Sequence, residues 1–173
     1  MLVRLTNDIL IASNTKSATV VILLDLSAAF DTVEHSLLLK ILRNEIGLKG
    51  TVLKWFHSFL MGRAQRTRIN NSISDDVVIM FGVPQGSVLG PVLFNIYVRS
   101  IYGYIKQHGF NIFGYADDHQ IFKTFKPRQQ HLVLLEDLCF CFKAVKRWMT
   151  QHFLQLNATK TQIIIFVPTD TTK

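Results

Sequence analysis

The sequence predicts an α+β protein, with helices packed on one face of a mainly antiparallel sheet. Three observations carry this. The run Val20-Val21-Ile22-Leu23-Leu24 is apolar at every position, so a strand there has both faces covered. Phe113-Gly114-Tyr115-Ala116-Asp117-Asp118, followed by Ile121 and Phe122, sets two β-prone runs around a tight acidic corner and reads as a hairpin. From Thr19 the coarse order is strand, helix, helix, hairpin, helix, hairpin, helix, hairpin, which fits a mixed layer of sheet and helix.

Composition sets the bounds. A chain of 173 residues is expected to form a single domain, 1–173. It is 49% hydrophobic with 13 Phe, enough to bury a sizeable core. A formal net charge of +7 favours an anionic partner, nucleic acid ahead of a membrane surface, although many basic globular domains bind nothing anionic. Cys139 and Cys141 stand two apart in a helical stretch and point in different directions; with no Cys or His cluster nearby, reduced core thiols are expected. Asp8 interrupts the apolar N-terminus, so no secretory signal is read and the expected place is intracellular, nucleus or cytoplasm. Val77 to Val98 is free of charge and long enough to suggest a membrane span, but Gly82, Pro84, Gln85, Gly86, Gly90, Pro91 and Asn95 interrupt it, and no membrane contact is expected.

The first element is a helix over Leu2 to Ser13, with Leu2, Leu5, Ile9 and Leu10 at helical spacing. After the turn Asn14-Thr15-Lys16-Ser17 comes a strand, Thr19 to Leu26. Asp25 near its end is costly to bury unpaired, so it should sit at the strand's mouth facing a cation or water. The same pattern occurs in the metal-organising strand of P-loop NTPases, but the required Gly-rich loop with Lys and Ser or Thr is absent. Ser27-Ala28-Ala29 lets a bulky ligand approach the backbone, and Phe30 either walls such a ligand or packs in the core. Asp31 or Thr32 is a helix N-cap candidate.

Helices follow at 35–45, with Leu38, Leu39, Ile41 and Leu42 and a stop at Gly47, and at 51–61, with Val52, Trp55, Phe56 and Phe59 on one face. Gln65 to Ile69 and Val77 to Phe81 pair as a hairpin across a polar turn, Asn70 to Asp75. Arg66 and Arg68 share one face of that strand, either to hold phosphates or simply to be solvated. The loop from Gly82 to Pro91 leads into a helix over Val92 to Tyr104. Such a loop exposes backbone N–H groups at the positive end of a helix dipole, and Gln85 adds donors and an acceptor that suit a nucleotide. Pro127 marks a break before a helix over Gln129 to Met149. Phe153 to Asn157, a turn at Ala158-Thr159-Lys160 and a strand Thr161 to Val167 close the chain as a last hairpin.

Chemistry concentrates at the acidic corner. Adjacent carboxylates repel, so Asp117 and Asp118 at a hairpin tip cost stability unless a cation sits there. A hard cation such as Mg²⁺ takes oxygen ligands while retaining water or phosphate. Asp25 is the candidate third carboxylate, provided the first strand neighbours the hairpin.

Taken in order, Leu24-Asp25-Leu26-Ser27-Ala28-Ala29-Phe30-Asp31, Gly82-Val83-Pro84-Gln85-Gly86-Ser87-Val88-Leu89-Gly90-Pro91, Tyr115-Ala116-Asp117-Asp118 and Leu156-Asn157-Ala158-Thr159-Lys160-Thr161 resemble motifs A, B, C and D of reverse transcriptases, in the style of LINE-type, non-LTR retrotransposons. The resemblance spans nearly the whole chain. It implies a polymerase palm with a ferredoxin-like sheet, synthesising DNA from deoxynucleoside triphosphates on an RNA template and a DNA primer. It implies two Mg²⁺ ions, with Mn²⁺ as a substitute, bound by Asp25, Asp117 and the Leu26 carbonyl and supported by Asp118. Phe30 would stack under the sugar and exclude a 2′-hydroxyl, Gln85, Gly86 and Tyr115 would contact the nucleotide, and Lys160 would lie near the pyrophosphate as a proton donor.

The sequence departs from the family pattern in places. His119 stands where Thr or another small polar residue usually follows the two aspartates, and Gln162 stands where motif D usually continues with Glu. Only a helix precedes motif A, and the chain stops before a primer grip and thumb, so a palm fragment without its N-terminal fingers is expected. The competing expectation is a retrotransposon remnant that folds and binds nucleic acid weakly without catalysis.

Overall fold

The computed structural model describes residues 2–168. In chain order its elements are α1 (Leu2–Asn14), β1 (Ala18–Leu24), β2 (Leu26–Ser27), α2 (His35–Asn44), α3 (Gly50–Leu60), β3 (Ala64–Gln65), β4 (Arg68–Ile69), β5 (Ser72–Ile73), β6 (Val77–Val78), α4 (Gly90–Tyr97), α5 (Arg99–Gln107), β7 (Asn111–Tyr115), β8 (Asp118–Phe125), α6 (Pro127–Gln151), β9 (Gln155–Leu156) and β10 (Gln162–Phe166). They form two compact units. One joins the chain up to Ser27 with the chain from Val98 onward; the other is Ala28–Tyr97.

The first unit is built on a four-stranded antiparallel sheet of order β10-β1-β8-β7. The apolar strand β1 lies inside it, and Ala18, Val20, Val21, Ile22 and Leu24 are all buried, as a strand without alternation requires. Each of the Val, Ile and Leu side chains contributes about 1.5–3 kcal/mol on full burial. Partners in an antiparallel pair share a face, so the register assigns the packing. Val21 faces Phe122, and both pack with Leu5 of α1, with Ile9, Leu23 and Phe113 around them. Val20 faces Lys123 on the opposite side, where Lys123 Nζ donates to Asp137 of α6 at 2.6 Å. Helices α5 and α6 pack on each other there, against β7 and β8. The expected α+β architecture with its antiparallel sheet is the one observed, and α1 adds a cover on the second face.

The C-terminal strands do not form the expected closing hairpin. Instead β9 and β10 run antiparallel along β2 and β1: Leu26 pairs with Leu156, and Leu23 with Gln162. Between these pairs β1–β2 spends only Leu24 and Asp25, while the β9–β10 segment inserts the turn Asn157–Thr161. The free edge of β1 accepts β10, which keeps the buried β1 backbone hydrogen-bonded on both sides.

In the second unit α2 packs against α3 and α4. Leu38, Ile41, Leu42, Leu93, Phe94 and Tyr97 are buried. Glu34, rather than Asp31 or Thr32, caps α2, accepting from the Ser36 and Leu37 amides. The hairpin over 64–78 turns more tightly than the sequence suggested, so that Val77 pairs with Gln65 and the expected strand stops short of Phe81. Its outer rungs join β3 to β6 and its inner rungs join β4 to β5, with Asn70 at a φ of 54° in the turn. The helix expected over Val92 to Tyr104 is two helices, broken at Val98, whose ψ of 1° is not helical; the boundary between the units falls at this break.

Candidate functional site

Tyr115 and Asp118 form the last pair of the β7–β8 hairpin, which leaves Ala116 and Asp117 as its two-residue tip. Ala116 has a φ of 53°, the left-handed region that a tight hairpin turn demands at its first corner and a Cβ resists. Asp117 and Asp118 are exposed, as is Tyr115. The β1–β8 ladder ends with Leu24 opposite His119. The ladder stops at that pair, with Asp25 the next residue after Leu24 and Asp118 the residue before His119. The neighbourhood of strand end and acidic corner, left open by the sequence, is therefore realised in the sheet.

Asp25 is half-buried, and its carbonyl accepts from the Asn157 amide at 2.8 Å. That bond fastens the inserted turn beside it. Asn157 organises the turn: its carbonyl accepts from Thr161 N at 2.9 Å and Thr161 Oγ1 at 2.8 Å, and its side chain accepts from Thr159 Oγ1 at 2.7 Å. Lys160 is exposed on this turn. Leu26 is buried in β2.

Among the described residues no lysine or arginine pairs with the carboxylates of Asp25, Asp117 or Asp118. Nor do three acidic, His or Cys side chains among them converge into a ready-made metal cluster. Magnesium binds through one or two carboxylates with water and phosphate completing its shell. Exposed carboxylate oxygens without a protein cation fit that requirement in donor type.

His119 shows what its departure from the usual small polar residue does. It is buried, and its Nδ1 donates to the Asp117 carbonyl at 3.1 Å, bracing the tip from below. Its Nε2 has no partner, and burial pushes its pKa below the ordinary histidine value. Gly114 is pressed against it: a Cβ there would meet Tyr102 Oη at 2.2 Å and His119 Nε2 at 2.9 Å.

The other sequence-predicted residues belong to the second unit. Phe30 is half-buried against Phe94, with ring centroids 5.1 Å apart. It lines an open cavity of about 430 Å³ with Pro84, Gln85, Gly86, Gly90 and Pro91. Gly86 has a φ of 74° and nothing near its Cβ position, so it serves the turn and not a close contact. Gln85 is exposed, and its Nε2 donates to Asp31 Oδ1 at 2.9 Å. The start of α4 is less open than the loop suggested, since the Gly90 amide already donates to Ser87 Oγ at 3.0 Å. Arg66 is occupied by an exposed ion pair with Asp76, which raises its own pKa and lowers that of Asp76, and Arg68 Nε donates to the Asn70 carbonyl at 3.2 Å. Arg66 is thus held by a carboxylate, while exposed Arg68 has only its Nε engaged.

A sequence model of the family described as reverse transcriptase (RNA-dependent DNA polymerase) matches residues 2–172. The chain belongs to the reverse transcriptase family. It is 29% identical to a probable RNA-directed DNA polymerase from transposon X-element of Drosophila melanogaster, over 94% of this chain and 18% of that protein. It is 31% identical to the corresponding transposon BS protein of the same fly, over 91% of this chain and 17% of that one. The chain thus spans under a fifth of the length of these curated relatives. Its fold is similar to that of apo telomerase from Candida tropicalis, with a TM-score of 0.66 at 12% identity, over 94% of this chain and 35% of that one. Telomerase from Candida albicans, solved with a TWJ fragment of telomeric RNA, superposes with a TM-score of 0.65 at 11% identity, over 98% of this chain and 32% of that one. Membership of the reverse transcriptase family agrees with the order of the four motifs. Among the described residues no helix is long and apolar enough to cross a membrane.

Two features of this reverse transcriptase chain escaped the sequence reading. The Asp31–Gln85 hydrogen bond joins residues far apart in the chain, and no local pattern announces it. His35, fully buried with Nε2 2.7 Å from the Gly82 carbonyl, looks in sequence like the polar first residue of an amphipathic helix.

Proposed function

We propose that the chain is the palm portion of an RNA-directed DNA polymerase, adding deoxynucleotides to a primer 3′-hydroxyl on an RNA template. The observation that supports this reading is the β1–β8 register, whose last pair, Leu24 with His119, has Asp25 and Asp118 as its immediate chain neighbours. In this reading Asp25 and Asp117 hold two Mg²⁺ ions, with Asp118 and the Leu26 carbonyl supporting. The ions, when bound, supply Lewis-acid activation of the hydroxyl and neutralise triphosphate charge. Manganese substitutes for magnesium at such oxygen ligands.

The chain's own residues do the rest. Phe30 stacks under the sugar and excludes a 2′-hydroxyl. Gln85 and Gly86 contact base and backbone, and Tyr115, exposed on the hairpin, lies against the nucleotide. Lys160 brings a positive charge, and a proton, to the leaving pyrophosphate. Phosphoryl transfer rests on positioning and charge compensation more than on covalent chemistry by the protein, which suits a site of carboxylates, one ring and one amide. The net charge of +7 supplies salt-sensitive affinity for primer–template.

A competing reading, a folded remnant that binds nucleic acid without catalysis, takes its support from carboxylates that do not close into a cluster. Primer extension on an RNA template with Mg²⁺ separates the two, run with this chain and with a protein spanning the length of its relatives. Extension that disappears in Asp117→Asn supports the polymerase. Nucleic-acid binding with no extension by either protein supports the remnant.

A further inference from the structure

The first stretch after motif A and the start of motif B are stapled together by more than packing. The Gly82 amide donates to the Val33 carbonyl at 2.8 Å, and the Val83 amide to the Phe30 carbonyl at 2.9 Å. Glu34 and Phe81 form a β-bridge between the same segments. From inside, His35 Nε2 lies 2.7 Å from the Gly82 carbonyl, in a site with no solvent access. Gly82 has a φ of 90°, and a Cβ there would come within 3.2 Å of Asp31 Cα. The two segments are therefore in backbone contact and cannot slide past one another. On the outer rim of this staple, Asp31 accepts from the Gln85 carboxamide.

We propose that Asp31 is a positioning residue for nucleotide recognition: it fixes the Gln85 carboxamide, on a frame that His35 and Gly82 lock to the backbone of Phe30. The proposal rests on the reading of Phe30 and Gln85 as nucleotide contacts. A carboxamide has two ends of opposite hydrogen-bonding sense. Because Asp31 is an acceptor only, it holds the Nε2 end and turns Oε1, together with the second Nε2 proton, toward whatever enters the cavity. An exposed glutamine without that partner samples several rotamers and loses rotamer entropy on binding. Asp31 therefore acts by removing that loss beforehand, and touches no substrate itself.

The test is a double-mutant cycle on the 173-residue chain, with deoxyguanosine triphosphate and Mg²⁺ as the probe. Binding is followed by titration calorimetry in every variant, and also by the Gln85 side-chain amide resonances in the chains that keep Gln85. Asp31→Ala should weaken binding about fivefold, the worth of one net hydrogen bond, and collapse the dispersion of the Gln85 amide protons. Asp31→Asn keeps an acceptor oxygen and should restore most of the affinity. In a Gln85→Ala background, Asp31→Ala should change nothing further. Urea unfolding should find the Asp31 variants as stable as the parent, since the side chain is exposed. Equal losses in both backgrounds, or none in either, would overturn the role of Asp31 alone. A parent chain whose Gln85 amide ignores the nucleotide refutes the underlying functional reading, and the role of Asp31 with it.

Discussion

Leu24 faces His119 at the end of the β1–β8 ladder, and each is the immediate neighbour of an acid: Asp25 follows Leu24, and Asp118 precedes His119. Leu24 and His119 are buried, while Asp25 beside them is half-buried and Asp118 is exposed. The ladder thus acts as a ruler that sets the neighbours of two acids, 93 positions apart in the chain, opposite one another. Replacing Asp25 by Asn keeps the shape and removes a charged ligand. Magnesium affinity, measured by titration of the folded chain, should fall by more than tenfold, since losing even an outer-shell partner of a metal costs about 10–100-fold. Unchanged affinity would move the metal away from Asp25.

The same corner carries repulsion in the absence of metal. Asp117→Asn relieves it, so the metal-free variant should melt higher than the parent at low ionic strength. The difference should shrink in salt, because exposed charges are screened within about 8–10 Å at 0.1–0.15 M. Added Mg²⁺ should stabilise the parent more than the variant. A variant that melts lower than the parent without metal would mean that Asp117 supports the turn and does not strain it.

Gly114 tests the brace beneath the tip. A Cβ at this position collides with Tyr102 Oη and with the His119 ring. Relieving the clash with the ring displaces His119, which also bonds the Asp117 carbonyl. Gly114→Ala should cost about 1–3 kcal/mol in urea unfolding, the usual range for overpacking. It should also broaden the backbone resonances of Ala116 and Asp117. A variant as stable as the parent would show that the pocket around His119 is slack.

How far each feature was legible follows from its physical range. The burial of β1 could be read because a run with no polar residue leaves no face for water. The acidic hairpin could be read because its strands and corner are contiguous. The pairing of β10 with β1 is decided by which strand edge is free, a property of the assembled sheet, and a local reading prefers the nearer partner, β9. The break at Val98 involves one residue and leaves the apolar periodicity intact on both sides. Glu34 is an uncommon N-cap type, whereas Asp31 is a common one whose actual partner, Gln85, is 54 positions away. The residues of the candidate site were legible as types at given spacings. Their supporting contacts, through His119, His35 and Asp31, were not.

The two cysteines divide differently from expectation, for Cys139 is exposed and only Cys141 lies in the core. A thiol reagent should modify Cys139 fast and Cys141 only on unfolding. Burial also pushes the Cys141 thiol up to about 11. The folded state then keeps a proton that the unfolded chain gives up near the ordinary value of 9.0, so the unfolded state binds fewer protons between the two. Stability contributed by this group is full below pH 9 and is lost as pH rises toward 11. Cys141→Ala should flatten that part of the pH–stability curve, after correction for the cavity it leaves. An unaltered slope would exclude the thiol as its source.

Phe30 carries two roles that one substitution separates. Its ring stacks near Phe94 on one side and lines the open cavity on the other. Phe30→Val removes most of the ring and keeps an apolar, β-branched stub. The loss of packing should cost about 1–2 kcal/mol, less than the 3–5 kcal/mol of truncating a fully buried Phe to Ala, because Phe30 is only half-buried. The opening of the cavity should do something that lost packing does not. A ring that excludes a 2′-hydroxyl acts only against ribonucleotides, so the variant should bind a ribonucleoside triphosphate more tightly relative to its deoxy counterpart. Competition between the two triphosphates for the folded chain in Mg²⁺ measures the ratio directly. A ratio unchanged from the parent, beside the expected loss of stability, would leave Phe30 as a packing residue of the second unit and shift sugar discrimination to another wall of the cavity.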